Sequence, residues 1–188
     1  MDDIGRVDES TWFFQYVVRR RVTWGYVFAV LFLVFADPSR GSVLCGLWLA
    51  VAGEAMRTWS SGTIVKNKVL ATDGPYRLSR NPLYLGSFGI GLGVAIMGGR
   101  WWFVPLFAGF YLPVYTLLIR KEEKRLAELY GEIFLEYCRV VPRLWPDLQA
   151  WPPEPTPYDA RRMWSKHREW QAWLALYGVT LYLLLMAR

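Results

Sequence analysis

The sequence predicts an all-α integral membrane protein: a bundle of about five transmembrane helices with a cytoplasmic pocket. Of the 188 residues, 54% are hydrophobic and 17% are aromatic, and the mean hydropathy is +0.15. Aromatic side chains in such numbers are typical of proteins with two membrane–water interfaces, where amphipathic rings settle at the level of the lipid headgroups. The length fits a single domain, which we assign to residues 1–188.

Five apolar runs with few or no charged residues are the predicted spans. The last three approach the length of about 20 residues that crosses a bilayer, whereas the first two are shorter. A tight link at residues 37–40 joins the first two runs, so we expect a helical hairpin over residues 22–57; a re-entrant pair is the alternative. The runs are Val22–Ala36, Gly41–Gly53, Pro82–Gly99, Trp101–Ile119 and Trp170–Ala187.

The 22 Lys and Arg residues are distributed unevenly between the two sides of this bundle. Nearly all of them lie in the segments 1–21, 54–81 and 120–169, which share one side. The exceptions are Arg40, Arg100 and Arg188. Because positively charged loops stay in the cytoplasm, we predict a cytoplasmic N-terminus, two long cytoplasmic loops and an external C-terminus. The acidic, polar N-terminal segment does not have the pattern of a cleavable signal peptide, so we expect none.

The same distribution argues against a nucleic-acid partner, although the net charge is +6. The basic residues flank apolar runs, which is typical of anchoring to membrane lipids. We also expect no metal site, because His167 is the single histidine and neither Cys45 nor Cys138 has further soft ligands beside it. The oligomeric state is not predicted by the sequence.

Glycines are concentrated in the third run, at positions 86, 89, 91 and 93. The G-x-x-x-G pair formed by Gly89 and Gly93 predicts close packing against a neighbouring helix in lipid. A dinucleotide-binding fingerprint is the alternative interpretation of the spacing, but no βαβ pattern frames it.

The segment after the fourth run, residues 120–145, is amphipathic, with apolar residues at helical spacing opposite charged ones. We expect a cytoplasmic continuation of the fourth helix that ends before Pro142. Residues 147–188 are predicted to form a Pro-rich linker, an interfacial segment from Tyr158 to Gln171 that is basic and Trp-rich, and the last span.

Two cytoplasmic segments carry the candidate chemistry. Leu70–Gly86 combines turn residues and two arginines before the third span. Arg120–Leu126 places the paired acids Glu122 and Glu123 at the membrane exit of the fourth span, where carboxylates are costly unless they have partners. The alternative for these acids is a solvated helical face with Glu–Lys pairs.

Together the two segments resemble the isoprenylcysteine carboxyl methyltransferase and phospholipid methyltransferase superfamily of integral membrane enzymes. Its first signature is G-x-Y-x-x-x-R-H-P-x-Y-x-G, and its second is E-E-x-x-L-x-x-x-F-G-x-x-Y-x-x-Y, closing on V-P. The first block here is Gly74, Pro75 and Tyr76, then Arg80 to Gly86; the second is Glu122, Glu123, Leu126, Tyr130, Gly131, Phe134, Tyr137, Val141 and Pro142. The resemblance covers residues 60–146, which form the predicted catalytic core.

The resemblance implies methyl transfer from S-adenosylmethionine to a lipid or a lipidated small molecule, at a carboxyl, amine or hydroxyl group. It also implies a set of cofactor-binding residues, namely Lys68, Val69, Leu70, Ala71, Tyr76, Arg80, Asn81, Pro82, Leu83, Tyr84 and Glu122. Among them, Glu122 would hold the cofactor's ammonium or its ribose hydroxyls, and Arg80 would pair with its carboxylate or brace the loop. Tyr76 and Tyr84 would pack on the adenine or face the sulfonium. Glu123 is the candidate proton acceptor for an amine substrate.

Three positions depart from the superfamily pattern. Asn81 stands in place of the usual histidine but still offers hydrogen-bonding groups, and Phe134 stands in place of a tyrosine. Leu118 occupies the position at which the prenylcysteine enzymes resemble one another in an arginine, so a prenylcysteine carboxylate is in doubt as the acceptor. Arg120 is the candidate catalytic residue that would replace this arginine in part, from a different helical face.

Two other functions are compatible with the sequence. Sterol-type reductases have a similar C-terminal helical layout, so a membrane reductase that uses NADPH is the first alternative. A non-catalytic membrane partner protein that keeps only the scaffold is the second. Glu54 and Arg57, one turn apart near the inner end of the second span, are either an interfacial ion pair or a polar wall of a substrate tunnel.

Overall fold

The computed structural model describes residues 11–64, 69–147 and 169–187. These residues form helices and loops without a β-strand, so the predicted all-α class is confirmed for the described part. A π-helical turn at Phe14–Val18 precedes the first α-helix, and a 3-10 turn at Gly74–Arg77 precedes the third. The α-helices are α1 (Arg21–Phe35), α2 (Arg40–Thr63), α3 (Pro82–Met97), α4 (Phe103–Tyr130), α5 (Glu132–Val140) and α6 (Glu169–Met186).

The five predicted apolar runs fall on α1, α2, α3, α4 and α6. Within the described residues, α4 is the one helix whose length and composition are both sufficient to cross a bilayer, while α1 and α3 are apolar but shorter. Helix α1 has no buried residue, and large apolar side chains on α1 and α6 are exposed. Exposed apolar surface of this extent is typical of contact with lipid or with another protein.

Helices α2 and α3 form the most extensive contact between the described elements. Two pairs of glycines bring the helix backbones together: Gly46 faces Gly93, and Gly53 faces Gly86. A Cβ atom at Gly53 would lie 2.6 Å from the Gly86 carbonyl oxygen, so neither position has room for a side chain. The predicted close packing is therefore confirmed. The contact at Gly89 is less close, because a Cβ atom there would lie 3.3 Å from Gly53 Cα.

The short link at residues 36–39 joins α1 to α2. Helix α2 begins with a reciprocal cap, in which the Ser42 N–H donates to Ser39 Oγ at 3.1 Å and the Ser39 N–H donates to Ser42 Oγ at 3.0 Å. The ring contacts of α1, however, are with α4, as between Phe32 and Phe103 at 5.1 Å. The predicted hairpin is thus continuous in the chain, but its first helix also packs on α4.

The predicted continuation of the fourth helix is interrupted at Gly131. Helix α4 ends at Tyr130 and α5 begins at Glu132, because Gly131 adopts a φ of +57°, which side-chain-bearing residues rarely adopt. Helix α5 ends before Pro142, as expected, and it buries Phe134 and Tyr137. The Pro-rich linker and most of the predicted interfacial segment, residues 148–168, lie outside the described residues.

Candidate cofactor site

A cavity of about 280 Å³ lies at the end of the bundle where α2 ends and α3 begins. Its walls come from the end of α2 and the loop that follows, from the 3-10 turn and the start of α3, from the last turns of α4, and from α5. The volume is near the lower limit for small-molecule pockets, which is about 300 Å³. The cavity therefore joins the two motif blocks, which are far apart in the chain.

Glu123 lies in the wall of this cavity with 1% of its surface exposed. Two guanidinium groups bind it: Arg80 Nη1 lies 3.2 Å from Oε1, and Arg143 Nε lies 2.9 Å from Oε2. The Asn81 side-chain amide also donates to Oε1 at 3.4 Å. A buried carboxylate requires such partners. Glu123 thereby links α4 to the start of α3 and to the segment after α5.

Backbone hydrogen bonds hold the segment after α5 against the first motif block. The Arg80 N–H donates to the Pro142 carbonyl oxygen at 2.9 Å. The Asn81 side-chain amide donates to the Arg143 carbonyl oxygen at 2.9 Å. Asn81, which replaces the usual histidine, therefore bridges Glu123 and this segment through a single NH₂ group.

Glu122, the neighbouring acid, is exposed and presents its carboxylate at the cavity. Tyr84 donates its hydroxyl to Glu122 Oε2 at 3.0 Å. Tyr84 is positioned in turn by Tyr111, whose hydroxyl donates to the Tyr84 carbonyl oxygen at 2.7 Å, and by the Tyr115 ring. The two consecutive acids therefore have different environments: one is enclosed by arginines, and the other faces the cavity.

Tyr76 contributes a buried hydroxyl to the cavity wall. Its surface is 6% exposed, and its hydroxyl has no hydrogen-bond partner among the described residues. Burial, with a further contribution from the Glu122 carboxylate, raises the pKa of Tyr76, so the phenol keeps its proton and can donate. Tyr137 donates its hydroxyl to the Tyr76 carbonyl oxygen at 2.6 Å. A ligand atom that accepts a hydrogen bond here would satisfy the Tyr76 hydroxyl.

Most of the predicted site residues are brought together around this cavity. Those that line it are Val69, Leu70, Ala71, Tyr76, Arg80, Asn81, Pro82, Leu83, Tyr84, Glu122 and Glu123. Lys68 lies outside the described residues. Arg120 does not line the cavity; because successive helical residues are about 100° apart, it lies on nearly the opposite side of α4 from Glu122. That these residues bind a cofactor stays a prediction.

Some of the residues that complete the site were not among the predicted site residues. Arg125 adds a guanidinium group to the lining, and Arg143 is the second cation on Glu123. Most of the other unassigned lining residues belong to the second motif block, which was the signal available for them: Leu126, Tyr130, Phe134 and Tyr137. No group of three or more His, Cys, Asp or Glu in the described parts of the chain is arranged to hold a metal ion.

Comparison with known proteins gives one family and three relatives. The phospholipid methyltransferase family model matches residues 41–133. The cobalt-zinc-cadmium resistance protein CzcN of Cupriavidus metallidurans is 34% identical over 66% of this chain and 53% of its own length. The protein-S-isoprenylcysteine O-methyltransferase of Schizosaccharomyces pombe is 27% identical over 60% of this chain and 50% of its own length.

The third relative is the Delta(14)-sterol reductase of Arabidopsis thaliana, 32% identical over 45% of this chain but only 23% of its own length. No solved structure matches the chain. The chain thus spans about half the length of the first two relatives, and less of the reductase. The family match and the isoprenylcysteine enzyme agree with the two motif blocks that form the cavity. Residues 41–133 thus belong to the phospholipid methyltransferase family, and the chain is similar to an isoprenylcysteine enzyme of the same superfamily of membrane methyltransferases.

Proposed function

We propose that the protein transfers a methyl group from S-adenosylmethionine to a lipid or lipidated small molecule at the membrane. The observation that carries the proposal is the cavity in which the two motif blocks meet, with Glu122 and Tyr84 on one part of its wall and the buried Tyr76 hydroxyl on another. The family and the isoprenylcysteine relative support the same reaction class.

The residues of the cavity fit the chemistry of this cofactor. S-adenosylmethionine carries an ammonium, a carboxylate, a sulfonium and an adenosine. The Glu122 carboxylate suits the ammonium or the ribose hydroxyls, and the Arg125 guanidinium suits the carboxylate. Arg80 is held by Glu123, so it braces the loop in this proposal. The Tyr76 hydroxyl would donate to an acceptor atom of the adenosine.

The cofactor, when bound, supplies an electrophilic methyl group on its sulfonium. The protein's own part is to align the acceptor with that methyl group and to exclude water, since proximity and desolvation can supply much of the acceleration. An amine acceptor would require in addition that a proton be removed. Glu123 was the predicted acceptor of this proton; its contacts with Arg80 and Arg143 favour a positioning role instead.

The proposal includes the arrangement in the membrane. Five spans formed by α1, α2, α3, α4 and α6 would put the cavity on the cytoplasmic side, where the cofactor is dissolved, and the acceptor would enter laterally from the bilayer. The uneven Lys and Arg distribution supports this orientation, and the exposed apolar side chains of α1 and α6 support contact with lipid.

A prenylcysteine carboxylate is not the acceptor that we propose. Leu118 packs with Phe14, Val18 and Val114 in an apolar cluster beneath the N-terminal turn, so it offers a carboxylate no charge-assisted partner. Arg120 does not line the cavity. We expect N-acetyl-farnesylcysteine to be methylated poorly. Robust methylation that is lost in Arg120→Ala would show instead that Arg120 binds this carboxylate.

Ligand-induced shifts of the melting temperature test the cofactor. S-adenosylhomocysteine should raise the melting temperature of the purified chain in detergent, and NADPH should not. A shift with NADPH alone would favour the reductase alternative, for which the similarity to the sterol reductase is the specific observation. No shift with either ligand would favour a non-catalytic partner protein.

Transfer of a tritiated methyl group into a membrane lipid extract tests the reaction itself. Labelled lipid that depends on the protein is the expected result, and its absence from extracts of several membranes would contradict the proposal. Base treatment then separates the acceptor classes, because a methyl ester releases the label as methanol whereas an N-methyl group retains it.

A further inference from the structure

A second cluster of charged side chains lies outside the cavity, where α2, α3 and α6 meet. Arg57 of α2 is its centre: Nη2 lies 3.3 Å from Glu169 Oε2, Nε lies 3.8 Å from Glu54 Oε2, and Nη1 lies 2.5 Å from Ser87 Oγ of α3. Glu169 also accepts through Oε1 at 3.4 Å. One guanidinium group therefore faces two carboxyl groups from two different helices.

Both carboxyl groups are buried. Glu54 is 1% exposed and Glu169 is 4% exposed. The helices are closely packed beside them. Gly53 packs directly on Gly86, and Trp173 donates its indole N–H to Thr58 Oγ1 at 3.1 Å. Water therefore has little access to Glu54 or Glu169.

Not every buried polar atom of the cluster has a hydrogen-bond partner. Within the described residues, Glu54 Oε1 and Arg57 Nε are both buried and have no hydrogen-bond partner. If both carboxyl groups were ionised, the cluster would have a net charge of −1. A buried carboxylate without a full set of partners is strongly unfavourable, and more so at the depth of a membrane span. Protonation of one carboxyl group removes this excess charge.

We propose that Glu54, Arg57 and Glu169 form a proton-binding site that holds α6 against α2. Glu169 is the better partnered of the two carboxyl groups, because Arg57 contacts both of its oxygens at 3.3 to 3.4 Å. Glu54 carries the proton, because its contact with Arg57 is longer and its other oxygen has no partner. Among the described residues, the other polar groups facing the site from α3 and α4 are neutral: Ser87, and Tyr111, whose hydroxyl donates to the Tyr84 carbonyl oxygen.

The site bears on the docking of the last helix. The other contacts of α6 with α2 are mainly apolar, through Leu176 and Leu183 in the core. When Glu54 loses its proton, two buried carboxylates compete for the single guanidinium group of Arg57, and the link to α6 weakens. Stability should therefore fall as the pH rises through the range in which the proton is lost.

Melting temperatures measured from mildly acidic to mildly alkaline pH test the proposal on the full chain in detergent. Glu54→Gln imitates the protonated form, so its melting temperature should exceed that of the wild type by an amount that widens by a few degrees as the pH rises. Glu128→Gln, on the exposed face of α4, is the matched control and should run parallel to the wild type. A Glu54→Gln curve that also runs parallel would overturn the proposal.

The double variant tests the charge count. Glu54→Gln and Glu169→Gln each leave Arg57 with one carboxylate, whereas the double variant leaves it with none. Because Glu54→Gln alone should not lower the melting temperature, we expect the double variant to melt below Glu169→Gln. A double variant that melts at or above Glu169→Gln would contradict the proposal, and so would a Glu54→Gln variant that is as destabilised at every pH as Glu169→Gln. If the double variant does not fold, the pH profiles of the single variants still decide.

Discussion

Glu122 and Glu123 are consecutive in the sequence but are expected to do different work. Glu122 is exposed at the cavity and accepts a hydrogen bond from Tyr84, so it is able to bind a ligand. Glu123 is enclosed by Arg80, Arg143 and Asn81, so its carboxylate is used within the protein. Substitutions of Glu122 should therefore affect ligand binding more than stability, and substitutions of Glu123 should affect stability.

The first prediction concerns ligand binding. Glu122→Ala should weaken binding of S-adenosylhomocysteine by about 2 kcal/mol, which is typical for loss of a hydrogen bond to a charged group. Glu128→Ala, at an exposed position about 1.7 turns further along α4, should change binding by less than about 0.5 kcal/mol. Isothermal titration calorimetry of the two variants measures the difference. Equal losses at both positions would mean that the cofactor does not lie at Glu122.

The second prediction concerns stability. Glu123→Gln should lower the free energy of unfolding by about 3 kcal/mol or more, because two guanidinium groups lose their buried counter-charge. Glu122→Gln should leave it nearly unchanged, because that side chain is exposed. Thermal denaturation in detergent compares them. A Glu123→Gln variant that keeps wild-type stability but loses methyl transfer would assign Glu123 to proton removal instead.

The sequence predicted the walls of the cavity better than their internal contacts. The motif residues from Arg80 to Tyr84 and at positions 122 and 123 line one cavity, because each block is local and its spacing survives in the helix. The partnership of Glu123 with Arg143 was not predictable, since it depends on how the chain returns after α5. The charge of Arg120 and its place near Leu118 predicted a role in the site, but helical phase turns this residue away from the cavity.

At the scale of helices, the glycine pairs between α2 and α3 set how closely the bundle can pack. Gly53→Ala should lower the melting temperature substantially, because its methyl group would lie 2.6 Å from a backbone oxygen of α3 and the helices would have to separate. Gly109→Ala and Gly178→Ala are the controls, since a Cβ at either position meets nothing within 4 Å. These controls should be neutral or slightly stabilised by the better helix propensity of alanine. A Gly53→Ala variant as stable as the controls would refute the role assigned to this contact.

The helices themselves were largely predictable, and their interruptions were less so. Apolar runs bounded by charged or Pro- and Gly-containing links located α1 to α4 and α6 closely. The break at Gly131 was missed, because the amphipathic pattern continues through it without a change of phase. Only the backbone conformation of that glycine shows where α4 ends and α5 begins.

At the scale of the whole molecule, orientation is the property to test. In a background without Cys45 and Cys138, a cysteine at the exposed Trp101 should react with an impermeant thiol reagent from outside the cell. A cysteine at the exposed Glu128 should react only after the membrane is opened. Exposed positions are needed, because an unreactive buried position such as Ser79 would report burial rather than side. Labelling in the reverse order would refute the proposed orientation.

The residues that close the cavity have a consequence for exchanging parts between relatives. The family match ends at residue 133, but Tyr137 and Arg143, which contact Tyr76 and Glu123, come after it. A chimera joined at residue 133 would combine Glu123 from one parent with the segment around Arg143 from the other. A transplanted stretch that keeps these contacts from one parent therefore includes α2 with its glycines and runs on to Asp147, whose N–H donates to the Leu78 carbonyl oxygen at 3.0 Å.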